Sequence, residues 1–347
     1  MLIARTPFRI SLGGGSTDLP SYSRKHGGFI FGVAINMYMD VFIRRPVIYD
    51  RIDLHYMKFE SVTSPEKLEH AIAREALNMV GIKDSISIYI KSDTPMGTGL
   101  GSSGTCAVGL LNALWRFKGV TKDSRALAEE AFRITQNLGL PDGRQDPYLV
   151  ALGGFTVMDI DTDDEVLLIR PNISKTTTEC FVENSLLVYT GIKRESKTVL
   201  EDQNSKKSFQ AKHAMKELGR KILLAFIGGN LDEFGKLMNE HWRLKKETSG
   251  RVSSLDLDLI YDLAMRNGCL GGKIVGAGGG GYFLFYCGNK DVKYATTRRS
   301  RRCGKRATET FPLTLIIAAL ASLMFQSKNI EAPGGLFLLN YPGRLTF

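Results

Sequence analysis

The sequence predicts an α+β protein built as two domains, and three observations lead there. Stretches with period-two apolar alternation and stretches with helical apolar spacing recur along the whole chain, without a regular βα repeat. Three glycine-rich runs stand in a fixed order, at 13–15, 97–104 and 276–281. A chain of 347 residues, 43% hydrophobic and 24% charged, is globular in composition and long enough for two cores.

Taken in order, Arg9 falls on an early strand that runs into the first glycine turn. Met37, Met39, Val41 and Ile43 alternate, which predicts a strand with one buried face. Leu68, Ile72, Ala76 and Met79 have helical spacing. Ile86, Ile88 and Ile90 alternate again and lead into the second glycine run, after which Ala107, Leu110, Leu111 and Leu114 mark a helix. The second run is therefore a strand–loop–helix unit. A helix over 124–138 ends near Gly139-Leu140-Pro141, and short strands follow at 155–159, 166–169 and 185–189. The stretch 191–203 is polar; helices are predicted at 207–227, 231–246 and 255–267, with a break at Gly228-Gly229-Asn230. The third glycine run feeds a strand at 282–287. This gives a first domain over 1–175, a second over 176–290, and a tail over 291–347 that breaks the pattern: basic first, apolar afterwards. The tail is expected to be a divergent or frame-shifted end that does not complete the second sheet.

Bulk properties exclude several classes. The chain opens without a signal peptide pattern, since Arg5 and Arg9 interrupt its apolar start. The longest apolar run, 311–325, is shorter than the roughly 20 residues a membrane-spanning helix needs. Cys106, Cys180, Cys269, Cys287 and Cys303 are odd in number and form no C-x-x-C pair, which fits a reducing cytoplasm better than a disulfide framework or a zinc site. The net charge is +10, but the tail carries nine basic residues against three acidic ones, so the body is only mildly basic. That suits anionic small substrates and gives no nucleic-acid stripe. No membrane partner is expected, and a second copy of the chain is the one macromolecular partner considered.

The second run places Gly97, Gly99, Leu100 and Gly101 between a strand and a helix N-terminus, where free N–H groups and the helix dipole favour an anion. Ser102 and Ser103 add hydroxyls that can reach phosphate or Mg²⁺. No Gly-Lys-Ser/Thr ends the run, and Ser102 fills the third glycine position of a dinucleotide fingerprint, so neither of those motifs is present. A plain glycine turn is the alternative. In the first run, Asp18 after Gly14, Gly15 and Ser16 can accept sugar hydroxyls or can cap its own turn. In the third, five glycines in six positions imply close approach to a ligand or to another loop. Asp146, in Gly143-Arg144-Gln145-Asp146-Pro147-Tyr148, is either a general base for a hydroxyl or a turn residue before proline.

The three runs, in this order and spacing, resemble the GHMP kinase superfamily. Residues 9–18, His26-Gly27-Gly28, 189–194, Asn239-Glu240-His241-Trp242 and 270–286 are most similar to its D-glycero-D-manno-heptose 7-phosphate kinases. The likeness covers roughly 1–288. The galactokinase Gly-Glu-His turn is replaced by Gly14-Gly15-Ser16. The resemblance implies an N-terminal domain like ribosomal protein S5 domain 2, a ferredoxin-like C-terminal domain, and a site between them for ATP and Mg²⁺. It implies Asp146 and Arg9 as the catalytic pair, with Gly97, Gly99, Leu100, Gly101, Ser102 and Ser103 on ATP. It places Gly14, Gly15, Ser16, Asp18, Gly278 and Gly279 on the substrate, and Ser103 on the metal. The family's metal-binding glutamate lies on the helix before the aspartate; that region reads Thr135-Gln136-Asn137, which leaves Glu130 as the acidic candidate. Pro147 follows Asp146 where relatives usually carry glutamine.

The reading is an ATP- and Mg²⁺-dependent cytoplasmic kinase for a sugar phosphate, best matched by the anomeric hydroxyl of a heptose 7-phosphate. Lys193, Arg194 and Lys273 are candidates for the substrate's phosphate. The alternatives are a fucose-type kinase for a neutral sugar and a non-catalytic sugar or nucleotide sensor.

Overall fold

The computed structural model describes residues 1–192, 199, 202, 206–293 and 296–297. The expected tail, with Cys303 and the apolar run 311–325, lies outside them apart from 291–293 and 296–297. So do Lys193 and Arg194.

The first domain is a mixed sheet. Strand β1 (Leu2–Gly13) pairs antiparallel along β2 (Gly28–Arg44), with Arg9 opposite Ala34. Strand β2 is 17 residues long, so its two halves serve different neighbours: β5 (Ile86–Ser92) pairs with its end and β6 (Phe155–Ile160) with its start. Strands β3 (Ile52–His55), β4 (Phe59–Val62) and β7 (Val166–Ile169) complete the order β4-β3-β5-β2-β6-β7. Nearly every β2 side chain is buried, because helices cover both faces.

Helices α1 (Pro20–His26), α2 (Ala71–Val80), α3 (Ser102–Phe117), α4 (Ser124–Asn137) and α5 (Gln145–Leu152) belong to this half. The predicted apolar residues Ala107, Leu110, Leu111 and Leu114 of α3 are all fully buried. Asp123 caps α4 by accepting from Ala126 N at 2.8 Å. The segment carrying Asp146 is not a turn but the first turn of α5. There Pro147 needs no N–H partner and costs nothing.

Helix α6 (Lys175–Asn184) occupies the stretch where the domain boundary was expected, with Ser174 as its cap. Beyond it, β8 (Ser185–Tyr189), β9 (Gly271–Ile274) and β10 (Tyr282–Tyr286) form an antiparallel sheet ordered β8-β10-β9. Helices α7 (Lys206–Ile227), α8 (Leu231–Lys246) and α9 (Leu255–Arg266) pack around it. One face of this sheet, with Leu186, Val188, Phe283 and Phe285, packs on Trp242, Leu257 and Tyr261. The other, with Leu187, Tyr189, Tyr282 and Leu284, joins the core of the first sheet.

The two sheets thus share one apolar core, and α7 is the element between them. A side chain at Gly219 of α7 would stand 2.6 Å from Gly14 N, so the helix sits directly on the first glycine turn. Among the described residues no helix is long and apolar enough to cross a membrane. The four described cysteines are free thiols.

Candidate active site

A cavity of about 300 Å³ opens between the two glycine-rich loops of the first half and the third run of the second. Its wall takes Arg9 from β1, Ser16 from the first turn, 97–103 in part, Asp142 to Asp146 in part, and Gly276 with Ala277.

The second glycine run is built for an anion. Gly97, Gly99 and Gly101 all have positive φ, a conformation side chains resist. Gly101 stands at the N-cap of α3, and no side chain caps that helix. The first N–H groups of α3 therefore face the cavity with the positive end of the helix dipole behind them. Ser102 and Ser103 begin the helix there, and Ser102 Oγ has no hydrogen-bond partner among the described residues.

Arg9 and Asp146 meet at the inner end. Arg9 is 2% exposed; its Nε donates to Asp146 Oδ1 at 2.8 Å, and its Nη2 lies 2.6 Å from the same oxygen. Its Nη1 donates to Gly99 O at 2.6 Å, and its backbone N donates to Leu100 O at 3.1 Å. One buried guanidinium thus ties the carboxylate to the phosphate-type loop. Asp146 stays partly open to the cavity, with 18% of its side chain exposed.

Asp18 is placed differently from a residue waiting at the surface of the cavity. It is fully buried, and its Oδ2 accepts Gln145 N at 2.8 Å, which fixes the start of α5 and so Asp146 beside it. Burial is the main cause that pushes its pKa up, to about 6, and the Asp146 charge adds to it. Gly143 is needed there, because a side chain would reach within 2.0 Å of Asp18 Oδ2. Of the first run, Ser16 reaches the cavity, while Gly14 is pressed against Phe29 O. A Cβ on Gly15 would meet Ser11 Oγ at 3.4 Å, an ordinary contact.

The third run closes the site by packing against the second. A Cβ on Gly276 would stand 2.5 Å from Gly99 O, and one on Gly281 2.0 Å from Thr98 O. Tyr282 N donates to Thr98 O at 3.1 Å. The expected close approach is therefore to another loop. Gly276 and Ala277 line the cavity, whereas Gly278 and Gly279 turn to Val252, with Gly279 N donating to Val252 O at 2.7 Å. Behind the run, buried Lys245 donates to Gly276 O.

Two sequence candidates lie away from the cavity. Glu130 accepts Trp115 Nε1 at 2.7 Å and pairs with Lys122 at 2.9 Å, so it braces α4 on α3. Lys273 is 1% exposed within β9, and burial, with Lys245 and Arg9 nearby, holds its pKa well below the usual lysine range. It is an interior lysine and offers no exposed cation to a substrate. Conversely, Asp142 was not singled out from the sequence. It lines the cavity and accepts Ser103 Oγ at 3.2 Å. Its only sequence signal is a carboxylate four residues before Asp146.

Comparison with known proteins fits this geometry. The model described as GHMP kinases N terminal domain matches residues 67–154, and that described as GHMP kinases C terminal matches 214–298. A D-glycero-alpha-D-manno-heptose 7-phosphate kinase of Campylobacter jejuni is 31% identical over 301 residues, covering 81% of this chain and 88% of its own. This chain belongs to the GHMP kinases. It is an ATP-dependent kinase, a phosphotransferase of mixed α and β fold. Among other relatives, the L-fucokinase/L-fucose-1-P guanylyltransferase of Bacteroides fragilis is 27% identical over 89% of the kinase but only 36% of its own length. A crystal structure of a D-glycero-D-manno-heptose 1-phosphate kinase from Bacteroides thetaiotaomicron superposes with a TM-score of 0.73. It is 23% identical and covers 91% of the kinase and 95% of its own chain, a likeness of fold.

Proposed function

We propose that this kinase transfers the γ-phosphoryl group of MgATP to the anomeric hydroxyl of a heptose 7-phosphate. The observation that carries the reaction is the Arg9–Asp146 pair, held at the mouth of an uncapped helix N-terminus inside one cavity. The 31% identity to a heptose 7-phosphate kinase supports the substrate.

The triphosphate lies on Gly97 to Ser103, where backbone N–H groups and the α3 dipole offset its charge. The acceptor hydroxyl lies against Asp146, which orients it and takes its proton as the new P–O bond forms. Arg9 keeps the carboxylate directed and lies close enough to offset charge on the transferred group. Asp18 works from behind: by anchoring Gln145 it sets where Asp146 points. Mg²⁺, when bound, neutralises phosphate charge; Ser103 Oγ is the hydroxyl at the cavity suited to hold it.

A neutral sugar is the second reading, and one observation favours it. Among the described residues lining the cavity, Arg9 is the one cation, and it is engaged with Asp146 and Gly99. Lys193 and Arg194, outside the described residues, are the remaining candidates for a substrate phosphate. Replacing both by alanine separates the readings. A Michaelis constant for heptose 7-phosphate that rises at least ten-fold fits the phosphorylated substrate; an unchanged one fits a neutral sugar.

The direct test is ADP release with MgATP and heptose 7-phosphate, neutral heptose, fucose, galactose or mevalonate in turn. Turnover with heptose 7-phosphate alone is expected. Asp146→Asn should then lose turnover by at least a hundred-fold while still binding ATP. An Asn variant with unchanged turnover would remove Asp146 from the mechanism.

A further inference from the structure

The polar side chains on the cavity wall are mostly committed to one another. Arg9 holds Asp146 and Gly99 O, and Ser103 donates to Asp142. Ser16, Ser102 and Gln145 are the exceptions, with side chains that bond no described residue. Ser102 belongs to the anion loop at the head of α3. Ser16 and Gln145 belong elsewhere, and one carboxylate joins them. Asp18, two residues after Ser16, accepts Gln145 N at 2.8 Å, so the first turn and the start of α5 are held as one unit.

Ser16 stands in its turn against the preference of its backbone. Thr17 N donates to Gly14 O at 3.2 Å, which makes 14–17 a four-residue turn with Ser16 in its third position. Ser16 has φ 70°, a conformation for which that position favours glycine. Glycine would adopt it without strain. Among the described non-glycine residues with positive φ, only Ser16 lines the cavity. It is 5% exposed, and its hydroxyl has no partner among the described residues. Strain at a cavity wall, carried by a hydroxyl without a partner, indicates a ligand.

Gln145 gives the second sign. It opens α5 immediately before Asp146, and both residues line the cavity. Its amide Oε1 is shielded from water without a partner, and no described residue bonds the amide nitrogen. A shielded amide oxygen left unpaired costs free energy that a hydroxyl donor would recover. An amide both donates and accepts, as a sugar hydroxyl does, and neither Gln145 nor Ser16 carries charge. The two suit hydroxyl groups and not a phosphate.

We propose that Gln145, supported by Ser16, is the specificity-determining residue that reads the sugar hydroxyl next to the one that reacts. The proposal rests on the sugar-kinase reading above and adds to it a contact on the acceptor. With the anomeric hydroxyl against Asp146, the chemistry of the sugar limits the choice. An anomeric carbon has the ring oxygen on one side and C2 on the other, so the neighbouring hydroxyl is the one at C2. Gln145, one residue from Asp146 on the same wall, meets that hydroxyl. Asp18 sets both contacts at once, because it fixes the backbone from which Gln145 and Asp146 project. A site built to bond a hydroxyl rejects the analogue lacking it, since its own polar groups are then left unpaired.

The test is a cycle of variant against substrate. Initial rates are measured with MgATP and either heptose 7-phosphate or its 2-deoxy analogue. The wild type should favour the hydroxylated sugar by about ten- to a hundred-fold in kcat/KM. Gln145→Met keeps the length of the side chain and removes its hydrogen bonds. It should lose about that factor on heptose 7-phosphate and nothing further on the 2-deoxy sugar, so that discrimination falls to within about two-fold. Binding of an ATP analogue should be unchanged, which a misfolded protein would not show. Ser16→Gly should lower kcat/KM on the hydroxylated sugar while its melting temperature stays the same or rises, because the strain is gone. Equal losses of Gln145→Met on both sugars would overturn the proposal, since that pattern belongs to a displaced Asp146. So would wild-type discrimination in the variant, or a wild type that does not distinguish the two sugars. If neutral heptose, fucose or galactose is turned over in place of heptose 7-phosphate, the same cycle with that sugar and its 2-deoxy form decides, and the 7-phosphate reading fails alone. Turnover of none of these sugars would overturn both.

Discussion

Asp18 shows how one residue can trade stability for placement. Its carboxylate is fully buried and its pKa is pushed up to about 6 from 3.8. The folded form therefore binds the proton more tightly than the unfolded chain does. Ionised Asp18 costs the fold about 3 kcal/mol at neutral pH, and the cost disappears as pH falls from about 6 toward the ordinary carboxylate value. Asp18→Asn should raise the melting temperature at pH 7 by a few degrees, an advantage that shrinks as the pH approaches 4. The same variant should lower kcat, because Gln145 N loses a charged acceptor and Asp146 its fixed position. Thermal melts across pH 4 to 7 beside initial rates check both halves. An advantage that grows toward acid would contradict the assigned sign. The sequence left Asp18 open between sugar contact and turn cap. Its backbone partner lies 127 residues away, a distance no local pattern encodes. Glu130 entered only through the family resemblance, which implies an acidic residue on the helix before Asp146, and in the structure it accepts Trp115 Nε1 instead of facing the cavity.

At the scale of elements, the third glycine run is a joint between halves of the molecule. Gly276 has φ 78°, and the space a side chain would need is filled by Gly99. Gly276→Ala should therefore push the two loops apart. We expect kcat/KM to fall at least ten-fold and stability to fall by about 1–3 kcal/mol, from strained backbone and overpacking together. Gly250→Ala is the control, since nothing lies within 4 Å of its added Cβ. Equal effects at both positions would mean that the loss is not a matter of packing. These loops were legible in the sequence as glycine runs between periodic elements, as were β5, α3, α4, α8 and α9, whose apolar spacing is long and regular. Three helices were not. Helix α1 is seven residues long, and α5 is apolar on nearly every side, so neither has a readable stripe. Helix α6 is polar, Lys-Thr-Thr-Thr at its start, and is helical because Ser174 caps it and Phe181 anchors it in the shared core.

For the whole molecule the decisive feature is that shared core. Phe226, at the end of α7, is fully buried with its ring 5.5 Å from Phe31 and 5.2 Å from Phe155 of the first sheet. On its other side lie Phe181 at 5.0 Å and Phe234 at 5.2 Å, and Phe234 in turn meets Tyr286 of the second sheet. A continuous file of aromatic rings thus couples two halves that the sequence presents as separate domains. Unfolding one half would expose the apolar face of the other, at roughly 25 cal/mol for each Å² uncovered. The two should therefore melt together, in one calorimetric transition whose van't Hoff and calorimetric enthalpies agree. Phe226→Ala removes the ring at the centre of the file and should cost about 3–5 kcal/mol. If the core is truly common, that variant keeps a single transition at lower temperature. If the halves are held by separate cores, the cut at Phe226 splits the melt in two, with the Gly97 to Ser103 half and the Gly276 half unfolding apart. The site lies on the seam between them, so a split should also abolish nucleotide binding at temperatures where the first half is still folded. Differential scanning calorimetry with and without an ATP analogue distinguishes these outcomes, because only a cooperative molecule raises its whole transition when ligand occupies the seam.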